Sequence, residues 1–215
     1  MIIALPTGIG TAFRIFCKFS TWAISPSIVK KVRLVNGNWN SDNDWIPTGV
    51  PRTTDSIYIA SGKSMTITGT DTTRCKSVNI NGTLMMSNGV LFVEQHWNKS
   101  ISAVFDSGNG TIIFNGTDQN ISGSNFANVQ FANSGVKSLL GDLEIGGSIS
   151  IAAGVTINAS RNSLTINKHW LASPLSQFNS LGIVYFAGLD SQAISTARMN
   201  DVEFSGSGKK SSIWV

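Results

Sequence analysis

The stretch Gly110-Thr-Ile-Ile-Phe-Asn-Gly116 returns 72 residues later as Gly182-Ile-Val-Tyr-Phe-Ala-Gly188. Its flanks return at a spacing of 73: Gln119-Asn-Ile121-Ser122 as Gln192-Ala-Ile194-Ser195, Phe126-Ala-Asn-Val-Gln-Phe131 as Met199-Asn-Asp-Val-Glu-Phe204, and Ser134-Gly135 as Ser207-Gly208. Upstream, His96-Trp97 matches His169-Trp170 and Phe105 matches Phe178 at that same spacing. Farther back it falls to 65, where Ile80-x-Gly82-x-Leu84 pairs with Ile145-x-Gly147-x-Ile149 and Gly89-Val90 with Gly154-Val155. A unit of about 73 residues has been duplicated. Eight residues have entered the second copy between Gly154 and His169, and we expect them as a loop insertion near Asn158 to Ser163.

The unit is built from short alternating segments such as Thr111-Ile-Ile-Phe114, Asn128-Val-Gln-Phe131, Asp142-Leu-Glu-Ile145 and Asp201-Val-Glu-Phe204. Apolar residues stand two apart with a polar residue between them, the period of a strand with one buried face. Each segment is four or five residues long and ends at Gly, Asn or Ser, so it cannot bury its own apolar side. Stacked coils would bury all of them against one continuous interior. The expected fold is therefore all-β: a right-handed parallel β-helix (β-solenoid), about three strands per coil, with a duplicated unit of about 73 residues whose copies superpose coil on coil. A β-sandwich shares the short alternating strands. A tandem copy lengthens a solenoid but would make a second domain of a sandwich.

Composition agrees. Of 215 residues 13% are charged and 21 are Gly, with no Glu/Lys/Arg-rich helical runs, which argues against a bundle or a disordered chain. Of 16 Lys and Arg, five (Arg14, Lys18, Lys30, Lys31, Arg33) precede the first acid, Asp42, leaving 11 against 12 acids. The basic balance belongs to the N-terminal segment, and no nucleic-acid face is implied. Residues 1–34 read as a leader-like or upstream extension, a degraded export signal broken by Pro6, Gly8 and Gly10. It is too short and too broken for a transmembrane span. Removing Met1 to Arg33 is expected to leave the fold unchanged. Residues 35–215 read as the solenoid, ending mid-repeat as part of a longer polypeptide. The two cysteines, Cys17 and Cys75, form no recognisable framework or zinc motif.

The stretch Asn38-Trp39-Asn-Ser-Asp-Asn-Asp44-Trp45-x3-Gly49-x-Pro51-x3-Asp55-x-Ile57-x-Ile59-x-Ser61-Gly62 resembles an opening found in large secreted Bacteroidetes surface proteins. More loosely, it is similar to the start of G8 domains, Gly-rich extracellular β modules. The repeat, Gly-x3-Phe-x-Gly then Gln-x-Ile-Ser then Phe-x-Asn-Val, resembles the adhesin-like β-helix repeats of the same surface proteins. The resemblance runs from about Asn36 to the C-terminus. It implies a secreted or cell-surface location.

The residues that carry chemistry are few. His96 and His169, the only histidines, each precede a Trp without nearby Cys or carboxylate clusters, so they read as a repeated architectural position with Trp inward and His at the surface. Asp142 with Glu144, and Asp201 with Glu203, each put two acids on one side of a strand. Acids on neighbouring coils build the sites of β-helix polysaccharide lyases, but nothing here indicates a cleft, and solvated strand faces are the expected reading. No GxSxG or P-loop pattern occurs, and Gly206-Ser-Gly208-Lys-Lys210 reads as a turn. Frequent Asn-x-Ser/Thr triplets such as Asn81-Gly-Thr83 follow from turn composition. Trp39 and Trp45 read as a plug over the first coil, or as sugar-stacking rings.

The sequence thus predicts a non-catalytic structural or adhesive surface module with no catalytic, cofactor-binding or metal site. Its partner would be a surface glycan or another surface protein. The second reading is an accessory carbohydrate-binding region of a polysaccharide-active enzyme. An exposed aromatic strip or acids on adjacent coils would favour that second reading, and a surface of Asn, Ser, Thr and Gly the first.

Overall fold

The computed structural model describes residues 28–32, 35–195 and 198–213. The chain is a β-solenoid of about eight turns. A full coil has three strands. The second coil, for example, runs Ser56–Ile59, Ser64–Ile67 and Thr72–Cys75, and the third Ser77–Ile80, Thr83–Met86 and Val90–Val93. Strands at the same place in successive coils pair in parallel and form the faces of the solenoid. The first face is a nine-stranded sheet ending at Gln177–Ser180, and the third an eight-stranded sheet ending at Lys210–Ile213. The second position is split into a four-stranded sheet ending at Val104–Asp106 and a five-stranded sheet beginning at Ser124–Phe126.

Period-two patterning sets which side of each strand is buried. In Thr111–Phe114, Ile112 and Phe114 turn inward, and in Asn128–Phe131 Val129 and Phe131 do. Stacking brings like residues together, as with Phe114 and Phe131, whose rings stack at 5.6 Å and 18°. Where one coil's corner rides on the coil below, only glycine fits: a Cβ on Gly116 would collide with the carbonyl of Glu94. At the N-terminal end Trp39 and Trp45 are fully buried and packed edge to face at 5.3 Å. Trp45 donates its Nε1–H to the Trp39 carbonyl at 2.8 Å, and Trp45–Ile46 pairs antiparallel with Val29–Val32. These rings are a plug, closed to any sugar.

Two expectations are corrected. The first is the boundary at residue 34. Val29–Val32 is the first strand of the solenoid, paired in parallel with Ser56–Ile59. Its alternation buries Val32 and the stem of Lys30, whose ammonium donates to the carbonyls of Pro47 and Thr48 at 3.0 Å each. Apolar and basic residues here are inward-facing strand positions, which composition alone read as leader. The expected export signal in residues 1–27, and Cys17 with it, lies outside the described residues. Deleting residues 1–33 should therefore lower stability by at least about 2 kcal/mol, from the lost burial of Val32 and the two uncapped carbonyls. Thermal melts that agree before and after trimming would refute this.

The second correction concerns the insertion. The first copy carries one strand, Val90–Val93, before His96-Trp97, whereas the second carries two, Val155–Ser160 and Leu164–Ile166, before His169-Trp170. The eight residues are an added strand and turn, not a loop. The copies consequently do not share faces. Trp97 lies on the first face and Trp170 on the third, and Thr111–Phe114 lies on the third while Ile183–Phe186 lies in the second position. From the strand of Trp97 to that of Trp170 is a step of eleven strands, not a multiple of three, so the second copy is turned by one face. All faces present the same alternating pattern to the same interior, so a strand moves from one to another without changing which residues it buries.

Candidate interaction surface

Residues facing out along each sheet form ladders, because parallel in-register stacking puts equivalent side chains about 4.8 Å apart. On the first face Lys31, Tyr58, Asn79 and Asn98 line up, and farther along Asn120, Ser138, Asn158 and Asn179. Asn98 donates Nδ2–H to Oδ1 of Asn79 at 3.0 Å. In the second position the ladder is Asn125, Glu144, Thr165, Tyr185, Glu203. On the third it is Arg74, Phe92, Ile113, Gln130, Ser150, Leu171, with the Arg74 guanidinium 4.0 Å over the Phe92 ring. Tyr58, Tyr185 and Phe92 are thus spread singly over three sheets, and these ladders contain no aromatic strip.

All four singled-out acids are exposed on the five-stranded sheet. Glu144 and Glu203 occupy one ladder with Thr165 and Tyr185 between them, a separation of three strand spacings, about 14 Å. Asp142, just before its strand, accepts the Ser163 N–H at 2.8 Å, and Asp201 lies opposite Ile183. The acids do not meet across adjacent coils.

The two histidines occupy equivalent places. Nδ1 of His96 accepts the Asn120 N–H at 3.1 Å, and Nδ1 of His169 accepts the Ala193 N–H at 3.0 Å. In both, the neighbouring Trp is fully buried. Among the described residues no three His, Cys, Asp or Glu side chains cluster as a metal site. Cys75 is buried, and burial, aided by Glu94 and Asp55, pushes its thiol far up, away from nucleophilic character.

Sequence reasoning missed the buried polar groups. Gln119 donates Nε2–H to the carbonyls of Val93 at 2.8 Å and Gln95 at 2.7 Å, and its Oε1 accepts the Gly116 N–H at 3.1 Å. Gln192 repeats the arrangement with Ile166 at 2.9 Å, Lys168 at 2.7 Å and Gly188 at 3.0 Å. Lys137 caps the carbonyls of Gly116 and Thr117, and Lys210, 73 residues on, caps those of Gly188 and Gly208. Burial pushes the Lys137 ammonium down to about 8, with Asp118 pulling the other way. The signal was present: Gln119 stands two before Ile121 and Lys137 two before Leu139, inward positions by strand period.

Comparison of the chain with family models, with curated proteins and with solved structures returned no match. No helix of the described residues is long and apolar enough to cross a membrane.

Proposed function

We propose that this chain is a non-catalytic β-solenoid of the cell surface or secreted space, acting as a structural or adhesive module. What carries this reading is the outward ladders. On the first face they present mainly Asn and Ser in register over successive coils, a polar surface suited to contacting a partner by many hydrogen bonds. The four acids that might have served as a general acid and base stand on an open face, with Glu144 and Glu203 about 14 Å apart across three strand spacings, a poor arrangement for acting together on one bond. The resemblance to adhesin-like surface repeats points the same way.

The test is a screen of the purified chain against pectins, alginates and glucans for cleavage products. No turnover is expected. Asp142→Ala and Glu203→Ala should each shift stability by less than about 0.5 kcal/mol, as exposed positions do. Turnover that disappears in either variant would replace this reading with a polysaccharide-degrading one. Protease accessibility of the chain on intact source cells tests the location, and full protection inside the cell would overturn it.

A further inference from the structure

The two copies share a feature that neither the core nor the ladders require: each opens its sheet at the same place. Among the described residues, Trp97 and Ile121 form the only rung between their strands along the first face, and Trp170 and Ile194 do the same along the third. Both steps span 24 residues, whereas the coil before Trp97 on that face, from Val78, spans 19. The longer coil lifts the chain off the ladder. In the first copy Val104–Asp106 pairs only with the strand below it and Ser124–Phe126 only with the one above. In the second, the first-face sheet stops at Gln177–Ser180, and residues 198–200 form no strand.

A groove lies at each break. The first, about 340 Å³, is lined by Asn109, Asn125, Asn128, Glu144 and Lys168 beside Ser107. The second, about 480 Å³, is lined by Asn158, Asn179, Asn200, Ser160, Ser180 and Arg198. Ser107 and Asn125 of the first stand at the repeat positions of Ser180 and Arg198 of the second. The side chains of Asn125, Glu144, Lys168, Asn179 and Arg198 make no hydrogen bond or ion pair among the described residues, so each groove keeps uncommitted donors and acceptors. A second observation marks the C-terminal groove. It adjoins a cavity of about 650 Å³ that shares Phe178, Asn179 and Arg198 with it and is lined by Trp170. The indole N–H of Trp97 donates to Ser124 Oγ at 2.9 Å, but that of Trp170 is buried without a partner. In the sequence, Ala197 stands at the repeat position of Ser124.

We propose that these two grooves, which coincide at the repeat positions Ser107/Ser180 and Asn125/Arg198, are saccharide-binding sites, one at each break in the ladder. This deepens the surface-module reading and rests on it. A carboxamide offers one donor and one acceptor side by side, matching the vicinal hydroxyls of a sugar, and a carboxylate such as Glu144 accepts from such a pair. Asn109 and Asn125 with Lys168 in the first groove, and Asn179 with Arg198 in the second, give the grooves this chemistry, while Asn128, Asn158 and Asn200 are held by backbone hydrogen bonds, and both volumes fall in the range of small-ligand sites. In the cavity that adjoins the second groove, Trp170 keeps a buried N–H without an acceptor. The second groove's cation, Arg198, faces no acid among the lining residues, so this groove favours a sugar bearing a carboxylate, which the guanidinium grips with two parallel hydrogen bonds.

Calorimetric titration of the full chain with two probes, a neutral xylo-oligosaccharide and an oligogalacturonate, tests this. Saturable binding of two oligosaccharides per chain is expected, with the uronate held tighter at one of the two sites. The pair Asn125→Ala and Glu144→Ala should remove one site, and Asn179→Ala with Arg198→Ala the other and with it the uronate preference. Melting temperatures should stay within a degree or two, since these side chains hold nothing in place. On uronate binding, the tryptophan emission, to which Trp170 in the adjoining cavity contributes, should shift in the parent and not in the Asn179→Ala, Arg198→Ala variant. No saturable binding of either probe at millimolar concentration, or undiminished binding by the fourfold variant, would overturn the proposal. Either of those results, with the chain still accessible on the cell surface and free of turnover, would leave the surface-module reading in place.

Discussion

Phe114→Ala should destabilise the solenoid by about 3–5 kcal/mol, the usual cost of deleting a large aromatic from a packed interior. Phe114 is fully buried and stacked on Phe131, with Trp97 at 6.3 Å and Phe126 at 5.9 Å, so its loss opens a cavity shared by three further rings. Trp97→Ala should cost as much, because its indole also satisfies Ser124. The structure supplies an internal control. Phe204 occupies the repeat position of Phe131 and stacks on Phe186 at 5.6 Å and 22°, but it is 60% exposed. Phe204→Ala should therefore cost less than half as much as Phe131→Ala, since much of its area is already in water. Urea unfolding of the four variants beside the parent measures this, and equal losses at Phe131 and Phe204 would show that burial does not set the cost.

Gln119→Leu should cost about 3 kcal/mol although it makes the interior more apolar. The substitution orphans the buried N–H of Gly116 and takes a donor from the carbonyls of Gln95 and of Val93, the latter keeping the Asn115 N–H at 3.1 Å. An unsatisfied buried polar group such as the Gly116 N–H costs about 1–3 kcal/mol, and the two lost carbonyl bonds add less than a full penalty each because they share one site and Val93 keeps a donor. Gln192→Leu should behave alike, since its three bonds are the same. Asn120→Ala, the exposed neighbour, should change stability by less than about 0.5 kcal/mol. The check is the denaturation midpoint at constant m-value, and a Gln119→Leu protein as stable as the parent would show that the glutamine is dispensable.

These glutamines show how far sequence reading reached. The match of Gln119 to Gln192 was visible, as was its place on the inward side of its strand, but the reason for a polar residue there was not. That reason is a corner where one coil passes over another and strands its carbonyls, which exists only once the coils are stacked. Val29–Val32 failed for a related cause. A four-residue strand carrying two lysines has the composition of a basic tail, and only its pairing with Ser56–Ile59 and the carbonyls of Pro47 and Thr48 reveal it as the first strand of the solenoid.

By itself the sequence determined that this chain is a β-solenoid and which residues line it. Period-two alternation is a local property, and duplication at 73 residues leaves stacking as the way to bury so many short apolar strands. That is why Trp97, Phe114, Ile145, Trp170 and Phe186 are all inside. Tertiary structure alone decided which face each strand occupies. A strand and its turn fit any face of a solenoid equally well, so an added strand reads in the sequence as an insertion of no consequence. In space it turns everything after it by one face, carrying Trp170 to the third sheet and placing the second break in the ladder on a different side from the first. The grooves at those breaks are likewise a property of stacking, since they depend on where one long coil parts from its neighbour.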